Sequence, residues 1–489
     1  VVSFSLILLS VFQLIASTRR RLPPGPLPLP LVGNLLNISA GSPHRSLARL
    51  AQRHGPSLMS VRLGVVQAVV VSAADAAQEI LQKHNADLAG RPTVDVWRAN
   101  GHIANSVIIS QADARWRALR KLSATELFSP ARLNAMRPLR LQVVQELVRH
   151  VSEHVARGGE AFAVRDPAFT ASINILSRAV FSGDLDSGPS VRGLKDIVKE
   201  ATVLAMTPNV SDFFPAIAAA DLQGLRRRMA PLVATAYGII DREFEQRLRA
   251  REAREPRKND MLDVVLDKEH DQEGSVIDHN AIKGLFTDLF VAGADTSSTT
   301  VEWAMAELLQ SPEVMKKVKA ELREVLGKKM QVEESDIANL PYLQAVVKEV
   351  LRLHPPVAMT YYRADATVQV QGYTIPEGTT IILNIWALHR DADIWEDPDK
   401  FMPERFMNTE SDFSGKDCRL IPFGGGRRIC LGLPLAYRTV PLILASLLHQ
   451  FEWSLPEDAR SKGIDMTEKF GVVVSLASPL KAVAKKCDI

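Results

Sequence analysis

The segment Phe423-Gly424-Gly425-Gly426-Arg427-Arg428-Ile429-Cys430-Leu431-Gly432 carries the residue types in this chain best arranged for chemistry. Three glycines let the backbone turn tightly and approach another group closely. An apolar helical pattern follows, from Leu433 through Leu448. Cys430 therefore stands at a helix N-terminus, where the macrodipole favours thiolate over thiol. Arg428, two residues earlier, adds a positive charge or a contact for a carboxylate. A thiolate so placed is a metal ligand or a nucleophile. Other readings compete. A glycine-rich loop before a helix cradles phosphate, but this one lacks the Lys-Ser/Thr pair of a P-loop. A lone cysteine is more often buried and inert.

A second set of residues lies in Ala292-Gly293-Ala294-Asp295-Thr296-Ser297, inside a long helical pattern over Asp278–Gln310. A helix of that length crosses a domain. Its middle should be apolar, yet it holds a glycine, a carboxylate and a hydroxyl. Glycine there costs roughly 1 kcal/mol, and a buried carboxylate costs more unless paired. Local rules broken together mark a functional spot. Gly293 and Thr296 share a face. The missing side chain at Gly293 leaves room for a small molecule. The Thr296 hydroxyl can bond back to a carbonyl or hold water. Asp295 with Thr296 makes a plausible proton relay. A third pattern pairs Glu349 with Arg352 three residues on, with Pro403-Glu404-Arg405-Phe406 downstream. Alone, such a pair contributes little.

The Phe-x-x-Gly-x-Arg-x-Cys-x-Gly spacing resembles the heme-binding signature of the cytochrome P-450 family. The resemblance spans nearly the whole chain and takes in Trp116-Arg117-Ala118-Leu119-Arg120 and the Ala292–Ser297 segment. It implies heme b with Cys430 as axial thiolate, in the loop that Phe423 opens. A thiolate there pushes electron density toward bound oxygen. Trp116, Arg120, Arg363 and Arg428 are then implied as partners of the two heme carboxylates, which need guanidinium or indole donors; read alone, Trp116 is a core aromatic. Asp295 and Thr296 match the family's acid–alcohol pair. Glu349, Arg352 and Arg405 are implied as a buried structural network. Arg363 follows Tyr361 and Tyr362, where relatives often have proline or small residues.

For substrate, the resemblance points to Gly101–Ser110, to Phe290 and Ala294 on the long helix, to Val357–Met359, and to Gly471–Val474 with Val472. These are largely uncharged, which suits a hydrophobic small molecule held by shape. The pattern is similar to plant microsomal enzymes that oxidise monoterpenoids and labdane-related diterpenoids. Diterpene hydroxylation is the leading expectation, flavonoid or phenolic hydroxylation the second. No flavin or nicotinamide fingerprint appears, so electrons from NADPH must arrive through a membrane-bound NADPH–cytochrome P-450 reductase. Arg427, Lys416 and Lys121 could form its docking face. A reductase-independent heme–thiolate isomerase or dehydratase is the rival class, and the Asp295-Thr296 pair argues against it.

These residues must be held by a scaffold. The chain has 489 residues, 46% hydrophobic and 24% charged, with net charge +3, so it can build a large core and has no electrostatic case for nucleic acid. Three cysteines argue against a disulfide framework. The expected fold is mainly α with a small β-rich subdomain, the cytochrome P-450 fold. Helices are expected over Asp113–Thr125, Leu133–Glu153, Asp278–Gln310 and Tyr342–Leu353, and strands over Gln67–Ser72 and Thr367–Leu383. Residues 1–21, apolar with a closing arginine run, read as a membrane anchor that puts the body on the cytosolic side of the endoplasmic reticulum. Residues 22–30 read as a stiff proline-rich hinge, and 31–489 as one heme-binding domain. The charge run Arg247–Lys258 reads as a solvated helix end and loop.

Overall fold

A helix from His279 to Gln310, the central helix, is the axis of the molecule. Its 32 residues extend about 48 Å. Asp278 caps it, accepting from the Ala281 N–H at 2.8 Å, and Ser311-Pro312 ends it as the sequence predicts. Its first half, Ala281 to Ala294, packs into one apolar cluster with Phe181, Phe244 and Leu262. Its second half, Val301 to Leu308, packs into another with Leu343 and Leu444. The polar stretch Asp295–Thr300 falls between the two.

The computed structural model describes residues 21–184, 189–271, 277–409 and 411–487. It is mainly helical with small sheets, as expected. Against the central helix pack Arg165–Phe181, Pro341–Leu353 and the helix after the cysteine loop, Leu433–Gln450. Strands β1 (Leu58–Leu63), β2 (Val66–Val71), β3 (Thr360–Arg363) and β4 (Thr380–Leu383) form one sheet in the order β1-β2-β4-β3. β2 runs parallel to β4 and the other pairs are antiparallel. β2 ends in four buried residues and all of β4 is buried, which suits strands covered on both faces.

Three boundaries differ from expectation. The helix expected over Leu133–Glu153 is two, Pro130–Ala135 and Arg137–Ala156, because Pro138 restarts the helix after Met136. The strand expected over Thr367–Leu383 is a hairpin, Val368–Val370 with Tyr373–Ile375, followed by β4 in a different sheet. Gln371 and Gly372 both take positive φ at its turn, which one continuous strand could not hold. The charge run is not wholly solvated. Arg247 is buried, bonded to Asp260 at 2.7 and 2.6 Å, to Asp263 at 3.0 Å and to the Phe181 carbonyl at 3.0 Å.

The expected anchor lies almost entirely outside the described residues. Among those described, no helix is long and apolar enough to cross a membrane. The proline-rich stretch lies against the sheet: the Ser60 N–H donates to the Pro24 carbonyl at 2.8 Å, and Asn34 Nδ2 donates to the Leu27 carbonyl at 3.2 Å.

Candidate functional site

The loop at 423–430 is shaped by its glycines. Gly424 and Gly426 have φ of 69° and 63°, the left-handed region that side chains avoid. A Cβ on Gly426 would also lie 2.6 Å from the Leu81 carbonyl oxygen. The loop closes on itself through the Cys430 N–H, which donates to the Phe423 carbonyl at 3.0 Å. The Cys430 sulfur is thus presented to a cavity of about 330 Å³, lined also by Phe423, Arg91, Arg120, Arg428, Val357 and Thr296. Burial pushes its thiol up, while the N–H groups of Gly432 and Leu433 and the Arg120 charge pull the other way. A cationic metal centre would complete what those donors begin, since a coordinating thiol ionises outright.

Three arginines meet beside it. Arg428 donates to the carbonyls of Ala89 (2.8 Å) and Ser110 (2.7 Å), and its Nη1 is buried with no partner. Arg120 donates to the Ile429 carbonyl at 2.9 Å. Arg91, which sequence reasoning missed, donates to the carbonyls of Ile108 (2.9 Å) and Tyr361. Burial, then repulsion from Arg91 and Arg120, pulls the Arg428 guanidinium down to about 9. Such a cluster is costly unless an anion joins it. Two carboxylates on a planar group whose metal faces Cys430 fit both the orphaned Nη1 and the sulfur. The residues present therefore suit heme.

The structure separates the other expected cofactor contacts. Trp116 is buried with its indole N–H donating to the Val107 carbonyl at 3.0 Å, and its ring lies under Arg428 at 4.3 Å and Arg120 at 5.2 Å. It props up the two cations while its own donor is occupied. Arg363 is not in the cavity wall. It is part-exposed and paired with Asp365 at 3.0 Å. Arg91 occupies that corner, over the Tyr362 ring at 5.3 Å. The signal for Arg91 was faint: a lone arginine in Gly90-Arg91-Pro92, after a stretch without regular pattern.

On the opposite wall the central helix presents Asp288, Leu289, Ala292, Gly293, Thr296, Ser297 and Thr300, an i, i+3/i+4 stripe. The Thr296 hydroxyl donates to the Ala292 carbonyl at 2.7 Å, the back-bond expected. Asp295 is turned to Arg165, with which it pairs. The place of Gly293's missing side chain is taken by Leu176, whose Cδ1 would stand 2.4 Å from a Cβ there. Gly293 and Leu176 line the cavity side by side, so a larger residue at 293 would press on the Leu176 side chain.

Phe290 and Ala294 are corrections. Neither lines this cavity, and both pack into the apolar cluster behind the helix. Phe290 stacks on Phe181 at 5.8 Å. Of the remaining substrate expectations, Val357 lines the cavity with Val107 and Ile108, and Val472 does not. The 471–474 segment is tied back by the Val474 N–H, which donates to the Pro356 carbonyl at 2.8 Å.

The Glu349 network is closed. Arg352 bonds Glu349 at 2.7 and 2.8 Å, Arg405 reaches the same carboxylate at 3.1 Å, and the Met402 N–H donates to it at 2.9 Å.

A family model for cytochrome P450 matches residues 23–482. The chain belongs to the cytochrome P450 family. Geraniol 8-hydroxylase of Catharanthus roseus is 42% identical over 98% of this P450 and 97% of its own length. Oryzalexin E synthase of Oryza sativa subsp. japonica is 44% identical over 94% and 91%. A geranylhydroquinone 3''-hydroxylase of Arnebia euchroma is 41% identical over 97% and 96%. The chain is thus a cytochrome P450 monooxygenase with plant terpenoid-hydroxylase relatives, and its family implies a heme with a cysteine ligand.

Proposed function

We propose that this P450 hydroxylates a terpenoid, with a labdane-related diterpene as first candidate, using O2 and electrons that NADPH supplies through a reductase. The observation that carries it is the wall of the cavity opposite Cys430, where Val107, Ile108, Leu289, Ala292 and Val357 surround the space. Such a wall binds hydrocarbon by shape and excludes water. Relatives named for geraniol, geranylhydroquinone and oryzalexins support the same class. Heme bound to Cys430 would supply the activation of dioxygen. Arg91, Arg120 and Arg428 would hold its carboxylates. Thr296, facing the cavity, would hold water or a proton at its hydroxyl oxygen, and Asp295, loosened from Arg165, would resupply it.

Placement on the endoplasmic reticulum membrane is part of this reading. Leu27, Leu29 and Leu31 are exposed on the proline-rich stretch, and Val210 and Ile217 are exposed nearby in the fold. The turn at Gly64-Val65 links these two regions, the Gly64 N–H donating to the Val32 carbonyl at 3.2 Å and the Val65 N–H to the Phe213 carbonyl at 3.1 Å. On the cysteine side, Lys121, Lys416 and Arg427 are exposed and would meet an acidic reductase domain. Reversing their charge should raise the reductase needed for half-maximal rate and flatten or reverse its loss of affinity with salt.

The test is to feed geraniol, labdane-related diterpene hydrocarbons and flavonoids to microsomes holding this P450 and a reductase, with products read by mass spectrometry. NADPH-dependent hydroxylation of a terpene supports the proposal. Turnover of flavonoids alone sinks the substrate class, and turnover of a hydroperoxide without NADPH sinks the reaction class. Thr296→Ala should divert electrons to free hydrogen peroxide; unchanged coupling would remove Thr296 from the relay.

A further inference from the structure

Three parts of the fold meet at His102, and each is held through it. Asp288, on the central helix, is buried in the cavity wall. Its Oδ2 accepts from the Ser106 hydroxyl at 2.7 Å and from the N–H groups of Val107 (2.6 Å) and Ile108 (3.2 Å). Its Oδ1 faces His102 Nε2 at 3.4 Å. His102 Nδ1 bonds the Tyr237 hydroxyl at 3.0 Å, and Tyr237 sits on the helix Leu225–Glu252. Burial, with the Asp288 charge, pushes the Tyr237 phenol up. His102 thus stands between the Tyr237 hydroxyl and the Asp288 carboxylate, one ring nitrogen toward each.

The carbonyls of the same loop point the other way. Val107 accepts from Trp116, Ile108 from Arg91 and Ser110 from Arg428. The loop 106–110 thus takes its amide bonds from the central helix and its carbonyl bonds from the cations beside Cys430. Gly284 brings the helix backbone to the same segment, since a Cβ there would lie 2.3 Å from the Asn105 oxygen. Between these two sets of bonds, Val107 and Ile108 face the cavity.

We propose that the Asp288–His102–Tyr237 chain is a positioning device that sets the cavity wall at Val107 and Ile108, and so decides which ligand shapes reach the end facing Cys430. This rests on the cavity being the reaction chamber. A carboxylate shared among three loop donors fixes that loop far more tightly than apolar packing would. Displacing such a wall by about 1 Å is enough to change rates up to 100-fold. Tyr237 carries the constraint to a second helix, so movement of Leu225–Glu252 would be felt at the wall.

The test uses the heme-loaded full chain and optical titration with two probes, imidazole and phenylimidazole. Imidazole is small enough to ignore the wall; phenylimidazole must press on it. Asp288→Asn should change the ratio of the two dissociation constants about tenfold, the loss of one charge-assisted bond. Tyr237→Phe should change it about threefold. The reduced, carbon monoxide-treated spectrum should stay that of the parent in both. A ratio unchanged in Tyr237→Phe and in Asp288→Asn overturns the proposal. If Asp288→Asn does not fold, Tyr237→Phe together with His102→Gln decides it. A parent protein whose Soret band responds to neither probe would instead overturn the heme reading, and this proposal with it.

Discussion

Two arginine clusters in this fold, around Glu349 and around Arg428, are built to different rules. Around Glu349, two guanidiniums share one carboxylate, and Arg352 also donates to the carbonyls of His389 (2.8 Å) and Pro398 (2.7 Å). A carboxylate of the chain itself stands between the two, so part of their charge is cancelled inside the protein. Around Arg428, three guanidiniums find carbonyls and an indole face, and one buried nitrogen finds nothing. Carbonyls satisfy N–H donors without cancelling charge. The first cluster is finished when the chain folds; the second is finished when an anion arrives. Burial, then, carries different meanings, and what separates structure from site is whether one of the chain's own carboxylates stands among the guanidiniums.

The largest effect should come from opening the closed cluster. Glu349→Ala strands two buried cations and should cost about 3–5 kcal/mol, read as a loss of folded protein in thermal or urea unfolding of the apo and loaded forms alike. Arg428→Leu should do the reverse. It removes repulsion as well as two carbonyl bonds, so apoprotein stability should move by only about 1 kcal/mol, while heme should leave about tenfold faster when captured by excess apomyoglobin. Equal destabilisation by both variants would erase the distinction. A finer cut compares Arg91→Ala with Arg363→Ala. The first should speed heme loss about tenfold and the second less than about twofold, because Arg363 spends its charge on Asp365. A reversed order would restore Arg363 to the cofactor edge.

The smallest effect concerns pH. Burial raises the Glu468 carboxyl, but His44, Arg45 and Arg390 outweigh it and hold it at about 2, below its ordinary value of 4.5. A depressed carboxylate stabilises the fold above its unfolded value and loses that contribution as pH falls through the folded one. Stability should therefore decline between pH 4.5 and about 2, and Glu468→Gln should flatten that stretch of the curve. The closed Arg352 pair and the open Arg428 set would both be bystanders in this window.

Much of this could be read in the residues. Spacing alone fixed the cysteine loop, because glycines at 424 and 426 have positive φ that other residues resist. The helical pattern over Asp278–Gln310, ended by Ser311-Pro312, anticipated the central helix. What failed was rotation about that helix. Phe290 and Ala294 share its length with Thr296, yet they turn into the core behind it. Periodicity shows a stripe only where one face is polar, and this helix is apolar on most sides. Arg91 failed for another reason: its partners at Ile108 and Tyr361 are distant in sequence, and no local pattern encodes a bond to a carbonyl. Arg247 looked solvated because charge runs usually are; Asp260 and Asp263, a loop away, bury it.

The hydroxyls of the central helix have a consequence for its motion. Thr296, Ser297 and Thr300 each donate to the carbonyl four residues back, at 2.7, 3.0 and 2.9 Å. Those carbonyls already serve the backbone ladder, so each amide there competes with a side chain for its acceptor. The middle of the most enclosed helix should then trade its amide protons for deuterium sooner than the apolar halves on either side. Along this helix, rigidity would be lowest at the turn that faces the cavity.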